Sequence, residues 1–102
     1  MKFREKRTND GRVTVEFIGT LKKSDVERTK LRIYDIIEVE HPKILILNLS
    51  SVREIDRFGV SCLVGFTGVA DANNVILYIK KVPMCVQVQL QTYNVENAFT
   101  FI

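Results

Sequence analysis

The sequence predicts a single α/β domain, a mixed sheet of four to five strands with helices in the order β-β-α-β-α-β-α and an optional final strand. Three observations carry this prediction. Two aliphatic runs without polar alternation, Lys43 to Leu49 and Val75 to Ile79, have the pattern of strands covered on both faces in a parallel or mixed sheet. The segment joining them is long enough for a crossover helix, which makes a βαβ unit. At the start of the chain, Asp10-Gly11 lies between two extended segments and signals a hairpin. The 102 residues, 46% of them hydrophobic, are enough for one core without disulfide or metal support, and no repeat or linker divides residues 1–102.

Each element has its own justification. In the second strand Val13, Val15 and Phe17 share one face and Thr14, Glu16 and Ile18 the other, with Gly19 as its end. Ser24-Asp25-Val26-Glu27 has the form of a capping box and predicts a helix from about Asp25. Val26, Ile33, Ile36 and Ile37 form its apolar stripe, and Pro42 blocks its continuation. The crossover helix, over about 59–72, is apolar on nearly every side, which leaves surface for a homodimer. Gly65 and Gly68 inside it suggest close packing. Pro83 opens a third helix in which Val86, Leu90 and Tyr93 share a face, and Asn94 ends it. The tail Phe99-Thr100-Phe101-Ile102 is the optional last strand.

Charge and composition exclude several functions. The net charge of +3 equals the excess within residues 1–12, and the remaining ninety residues balance ten cations against ten carboxylates. A basic N-terminal segment accompanied only by Phe3 argues against direct nucleic-acid binding, which needs a basic stripe with interleaved aromatics. It fits a charged edge strand that resists edge-to-edge pairing. No stretch approaches the ~20 apolar residues of a membrane span, and no signal-peptide core is present, so the expected location is the cytoplasm. Cys62 and Cys85 stand apart, without metal-ligand spacing, and are expected as free thiols; His41 before Pro42 is expected in a solvated loop. No metal and no cofactor are predicted.

Catalytic constellations are missing too. There is no Walker loop and no Gly-x-Gly-x-x-Gly turn. Gly59-Val60-Ser61-Cys62-Leu63 begins like a nucleophile elbow but lacks the second glycine. Asp35, Glu38 and Glu40 fit the solvated side of the first helix. The expectation is a protein without enzymatic activity.

What remains is the junction from Leu49 to Val60, after the central strand, where α/β sheets usually place function. Ile46-Leu47-Asn48-Leu49-Ser50-Ser51-Val52, then Ile55-Asp56-x-x-Gly59-Val60, then Gly65, resembles the STAS domain of bacterial anti-sigma factor antagonists. That family's signature is a hydrophobic strand, Asp-Leu-Ser and later Asp-Ser-Ser-Gly-Leu. The similarity extends over almost the whole chain and implies a STAS-like fold. It also implies a non-enzymatic protein that binds an anti-sigma factor of the GHKL kinase type and thereby releases a sigma factor. In the family, phosphorylation of the second serine blocks that binding. Here Asp56 and Gly59 match, whereas Arg57 and Phe58 replace the serines, so the family position, Phe58, has no phosphoacceptor. Ser50, Ser51, Ser61 and Thr67 are hydroxyls nearby in sequence, and Ser61 is the alternative acceptor.

Two accounts of the corner stand side by side. In one, Asp56 caps the second helix, Gly59 permits tight packing and Phe58 fills the core. In the other, Ile55, Asp56, Arg57, Phe58, Gly59 and Val60 form a partner-binding corner, since arginine and aromatic residues dominate interfaces. The resemblance also admits an accessory or scaffold subunit of a stressosome-like assembly or an ABC-type lipid transport system. A small-ligand sensor has less support, because no ring of polar residues defines a pocket.

Overall fold

A computed structural model describes all residues from Met1 to Ile102. The strands are β1 (Lys2–Arg7), β2 (Arg12–Leu21), β3 (Ile44–Ile55) and β4 (Ile76–Lys80), and the α-helices α1 (Lys23–Asp35), α2 (Arg57–Ala72) and α3 (Met84–Thr92). The sheet order is β1-β2-β3-β4. The hairpin pair β1/β2 is antiparallel, and β2/β3 and β3/β4 are parallel. The final strand shrinks to one bridge, in which Ile79 N donates to the Thr100 carbonyl and Ile102 N to the Ile79 carbonyl, both at 3.0 Å.

All three helices lie on one face of the sheet. Val13, Val15, Phe17, Leu45, Leu47 and Ile79 form a single buried cluster with Ile33, Ile36 and Ile37 of the first helical segment, Leu63 and Phe66 of α2, and Val86 and Leu90 of α3. This corrects the expectation that the interior strands are covered on both sides. The second face of β3 consists of Ile44, Ile46 and Asn48, and Ile46 is shielded by its register partners Thr14 and Tyr78 rather than by a helix. The missing polar alternation therefore reflects isoleucines on an open face.

Other boundaries shift for local reasons. α1 begins at Lys23 with Lys22 as N-cap, because Asp25 and not Glu27 reaches back: its Oδ2 accepts the Lys22 N–H at 3.0 Å and the Thr20 hydroxyl at 2.8 Å. Its last turn widens into a π-helix over Ile36–Glu40, and His41, exposed at φ 52°, closes it with an N–H to the Ile36 carbonyl. Gly19, at φ 120°, does not end β2; the strand continues to Leu21 through two register shifts against β3. β3 likewise continues six residues beyond Leu49 to Ile55. The apolar circumference of α2 is explained by its place, packed on the sheet with α1 and α3 as neighbours. Close packing is absent at Gly68, where a Cβ would meet nothing within 4 Å, and at Gly65, where it would make ordinary contact with the Tyr34 hydroxyl at 3.6 Å. Tyr93 is largely exposed at the end of α3 and does not join Val86 and Leu90 in the core.

β1 is tied to the helical layer by charge. The Arg32 guanidinium donates twice to Glu5 at 2.5 Å, and Arg7 donates twice to Glu40 at 2.7 Å and once to Glu5 at 2.9 Å. Paired forks of this kind are the stronger class of ion pair. The Arg32 hydrogen bonds in particular pull the Glu5 carboxyl down to about 2, against the opposing effect of burial.

Candidate functional site

Because β2 and β3 are parallel neighbours, both end at the same edge of the sheet, and the turn into α1 meets the turn into α2. One side chain joins them. Asp56 is the N-cap of α2: its Oδ1 accepts the Gly59 N–H at 3.0 Å, while its Oδ2 accepts the Lys23 N–H in the first turn of α1 at 2.9 Å. A carboxylate thus sits at the positive ends of two helices. Burial raises its pKa, but the backbone N–H bonds from Gly59 and Lys23 outweigh that and hold it below the usual carboxylate value.

Gly59 explains how the turns come so close. A Cβ there would lie 2.1 Å from the Leu21 carbonyl oxygen and 2.7 Å from Ile55 Cγ1. That same Leu21 oxygen accepts the Asp56 N–H at 3.4 Å. Ile55, Gly59 and Val60 are buried, so their side of the corner builds the scaffold. Asp56 is half-buried; Arg57, Phe58 and Ser61 reach the surface.

The core account of Phe58 is overturned by its 37% exposure. Its ring is in contact with two cations, Lys23 Nζ at 5.0 Å and the Arg57 guanidinium at 4.9 Å from the centroid. Such cation–π contacts fix the ring at modest energetic gain, about 0.5–1 kcal/mol each at exposed sites. The exposed corner is therefore an aromatic face flanked by two cations. Lys22 lies next to it, paired with Glu54. Neither Lys22 nor Lys23 is identified by sequence reasoning, since nothing local in Lys22-Lys23-Ser24 indicates that it meets a segment 33 residues away.

Among the hydroxyls near the corner, Ser61 and Ser50 are exposed; Ser51 donates to Glu16 at 2.6 Å and Thr67 to the Val64 carbonyl at 2.6 Å. Cys62 is buried in α2 and its thiol is pushed up to about 11 by that burial, while Cys85 is half-buried with its Sγ 3.6 Å from the Val52 carbonyl. No helix is long and apolar enough to cross a membrane.

The STAS domain model matches residues 4–102. The fold superposes on the anti-sigma factor antagonist SpoIIAA in its unphosphorylated form with a TM-score of 0.80, at 17% identity, covering 99% of this chain and 88% of that one. A putative anti-sigma factor antagonist from Thermotoga maritima gives 0.85 at 18% identity, over 97% and 84% of the two chains. A sulfate transporter family protein from Wolinella succinogenes gives 0.76 at 25% identity, over 94% and 80%. No curated protein sequence matches the chain. A family match over nearly the full length, on a sheet and helix order that the anti-sigma factor antagonists share, establishes that this chain belongs to the STAS domain family.

Proposed function

We propose that the chain is a non-enzymatic, cytoplasmic regulator that binds an anti-sigma factor of the GHKL kinase type through the corner from Ile55 to Val60 and so frees a sigma factor. The observation that supports this most directly is the Phe58 ring, exposed in contact with Arg57 and Lys23 at the carboxyl edge of the sheet. Aromatic and arginine side chains presented on a rigid helix start are what interface hot spots are made of. Ile55, Gly59 and Val60 contribute by holding the helix start in place, and Asp56 by capping it.

The same residues imply a constitutive binder. A phosphate at the family position would be drawn to the helix N-terminus, but Phe58 has no hydroxyl to carry one. Its flanking cations keep the corner positive, so the negative charge that interrupts binding in the family does not form there.

The test is an affinity pull-down from the native host with ATP or ADP present, using the wild-type chain and an Arg57→Ala/Phe58→Ala control. Recovery of a small ATP-binding anti-sigma kinase, lost in the control at unchanged thermal stability, is the expected result. Recovery of scaffold or transporter subunits instead would move the protein to an accessory role, the reading favoured by its similarity to a transporter-family protein.

A further inference from the structure

All-parallel sheets are almost always covered on both faces. This sheet is mixed, but three of its four strands, β2, β3 and β4, run parallel, and the face opposite the helices has no covering layer. Register fixes its composition: Lys6-Thr14-Ile46-Tyr78 form one row, Arg4-Glu16-Asn48-Lys80 the next, with Arg12-Ile44-Ile76 on one flank and Lys2-Ile18-Ser51 on the other. Isoleucines occupy the middle and one side, and Ile76 is 51% exposed.

The charge on this face is one-sided. Lys2, Arg4, Lys6, Arg12 and Lys80 stand on it against a single carboxylate, Glu16, which is paired with Arg4 at 3.1 Å and takes a hydrogen bond from Ser51. Arg53 borders it, in a shallow recess of about 390 Å³ shared with Lys2, Ile18 and Ser51. Lys2, Lys6, Arg12, Arg53 and Lys80 form no ion pair. The other ten cations of the chain stand against eleven carboxylates, so the net positive charge lies on this surface, to which residues 1–12 contribute four of the five cations and β4 contributes Lys80. Strand alternation separates Lys2, Arg4 and Lys6, about 6.7 Å apart, from Glu5, which turns to Arg32 of α1, and Arg7, which turns to Glu40 in the π-helical turn.

We propose that this open face is a second protein-docking surface, whose occupant is an amphipathic helix of a partner with an apolar stripe edged by carboxylates. Such a helix supplies the layer that α/β architecture lacks here, and its acidic edges meet the basic rim. A second copy does not fit, because face-to-face pairing by a two-fold axis sets the five cations against their equivalents. Single-stranded nucleic acid needs successive stacking rings, and Tyr78 is the one aromatic on the face. A lipid surface needs a cluster of protruding apolar side chains, whereas Ile76 is the one exposed isoleucine of this face and Ile46 is buried.

The test titrates the ¹⁵N-labelled full chain with a designed helical peptide of about 20 residues, a leucine stripe flanked by glutamates. Saturable shifts at Lys6, Thr14, Ile46 and Tyr78 are expected. Affinity should fall about tenfold or more in Lys2→Glu/Lys6→Glu and in Ile76→Asp, and should be unchanged in Arg57→Ala/Phe58→Ala. That last variant keeps this surface distinguishable from the corner. Absence of peptide binding, equal binding of a scrambled peptide of the same composition, indifference to the charge reversal, or tighter binding of oligothymidylate or of phosphatidylglycerol vesicles would each overturn the proposal.

Discussion

Replacing Gly59 by alanine adds one methyl group at the point where the two helix starts converge, and its consequence follows from distances. The new Cβ would lie 2.1 Å from the Leu21 carbonyl oxygen, where ordinary contact begins at 3.4 Å. The start of α2 must therefore retreat by roughly 1 Å or more, and the obstruction is backbone, which cannot rotate away. Retreat also loosens the 3.0 Å bond from Gly59 N to Asp56. Overpacking costs about 1–3 kcal/mol and a weakened cap about 1 kcal/mol, against about 1 kcal/mol gained from alanine's helix propensity. The net loss is about 2 kcal/mol. Gly68→Ala is the control within the same helix: nothing lies within 4 Å of its Cβ, so propensity alone acts and stability rises by about 0.5–1 kcal/mol. The two variants should differ by about 3 kcal/mol in urea unfolding, or roughly 12–24 °C in Tm for a domain of this size. A difference below about 1 kcal/mol would refute the account of Gly59 as the closest backbone contact at the site.

Asp56→Ala removes the cap of α2 and the carboxylate bound to the first turn of α1, and should destabilise by about 2 kcal/mol, with Asp56→Asn intermediate, as measured by chemical denaturation. Its folded pKa is depressed, so its contribution is present above the unfolded value of about 3.9 and is lost as pH falls through the folded one; Asp56→Asn should flatten that part of the pH–stability curve. The Glu5 carboxyl, held at about 2 by Arg32 and Arg7, likewise stabilises the fold above about pH 4.5. Thermal melts between pH 4.5 and 2 should show a loss of about 2 kcal/mol that is absent in Glu5→Gln. For the thiols, iodoacetamide at pH 8 should label half-buried Cys85 well before Cys62, which is buried and pushed up to about 11; equal rates would contradict the packing of α2.

By itself the sequence determined the order of elements and the family corner, because both are written in local periodicity and short motifs. The alternation of Val13, Val15 and Phe17, the Asp10-Gly11 turn and the Asp56-x-x-Gly59 spacing all act between neighbouring residues. Tertiary structure decided what depends on distant segments meeting. Nothing near Gly59 or Gly68 in sequence separates a glycine jammed against Leu21 from one in open space, since the difference lies in a strand almost 40 residues away. Phe58 could be core or surface until Lys23 came to lie over it. Alternation also cannot say which face of a sheet receives the helices; Leu45 and Ile46 are equally apolar, yet only Leu45 faces them. Once the hairpin and the two parallel crossovers fixed that choice, cations spread over β1, β2 and β4 became one surface, and a charge excess that appeared N-terminal became a property of a sheet face.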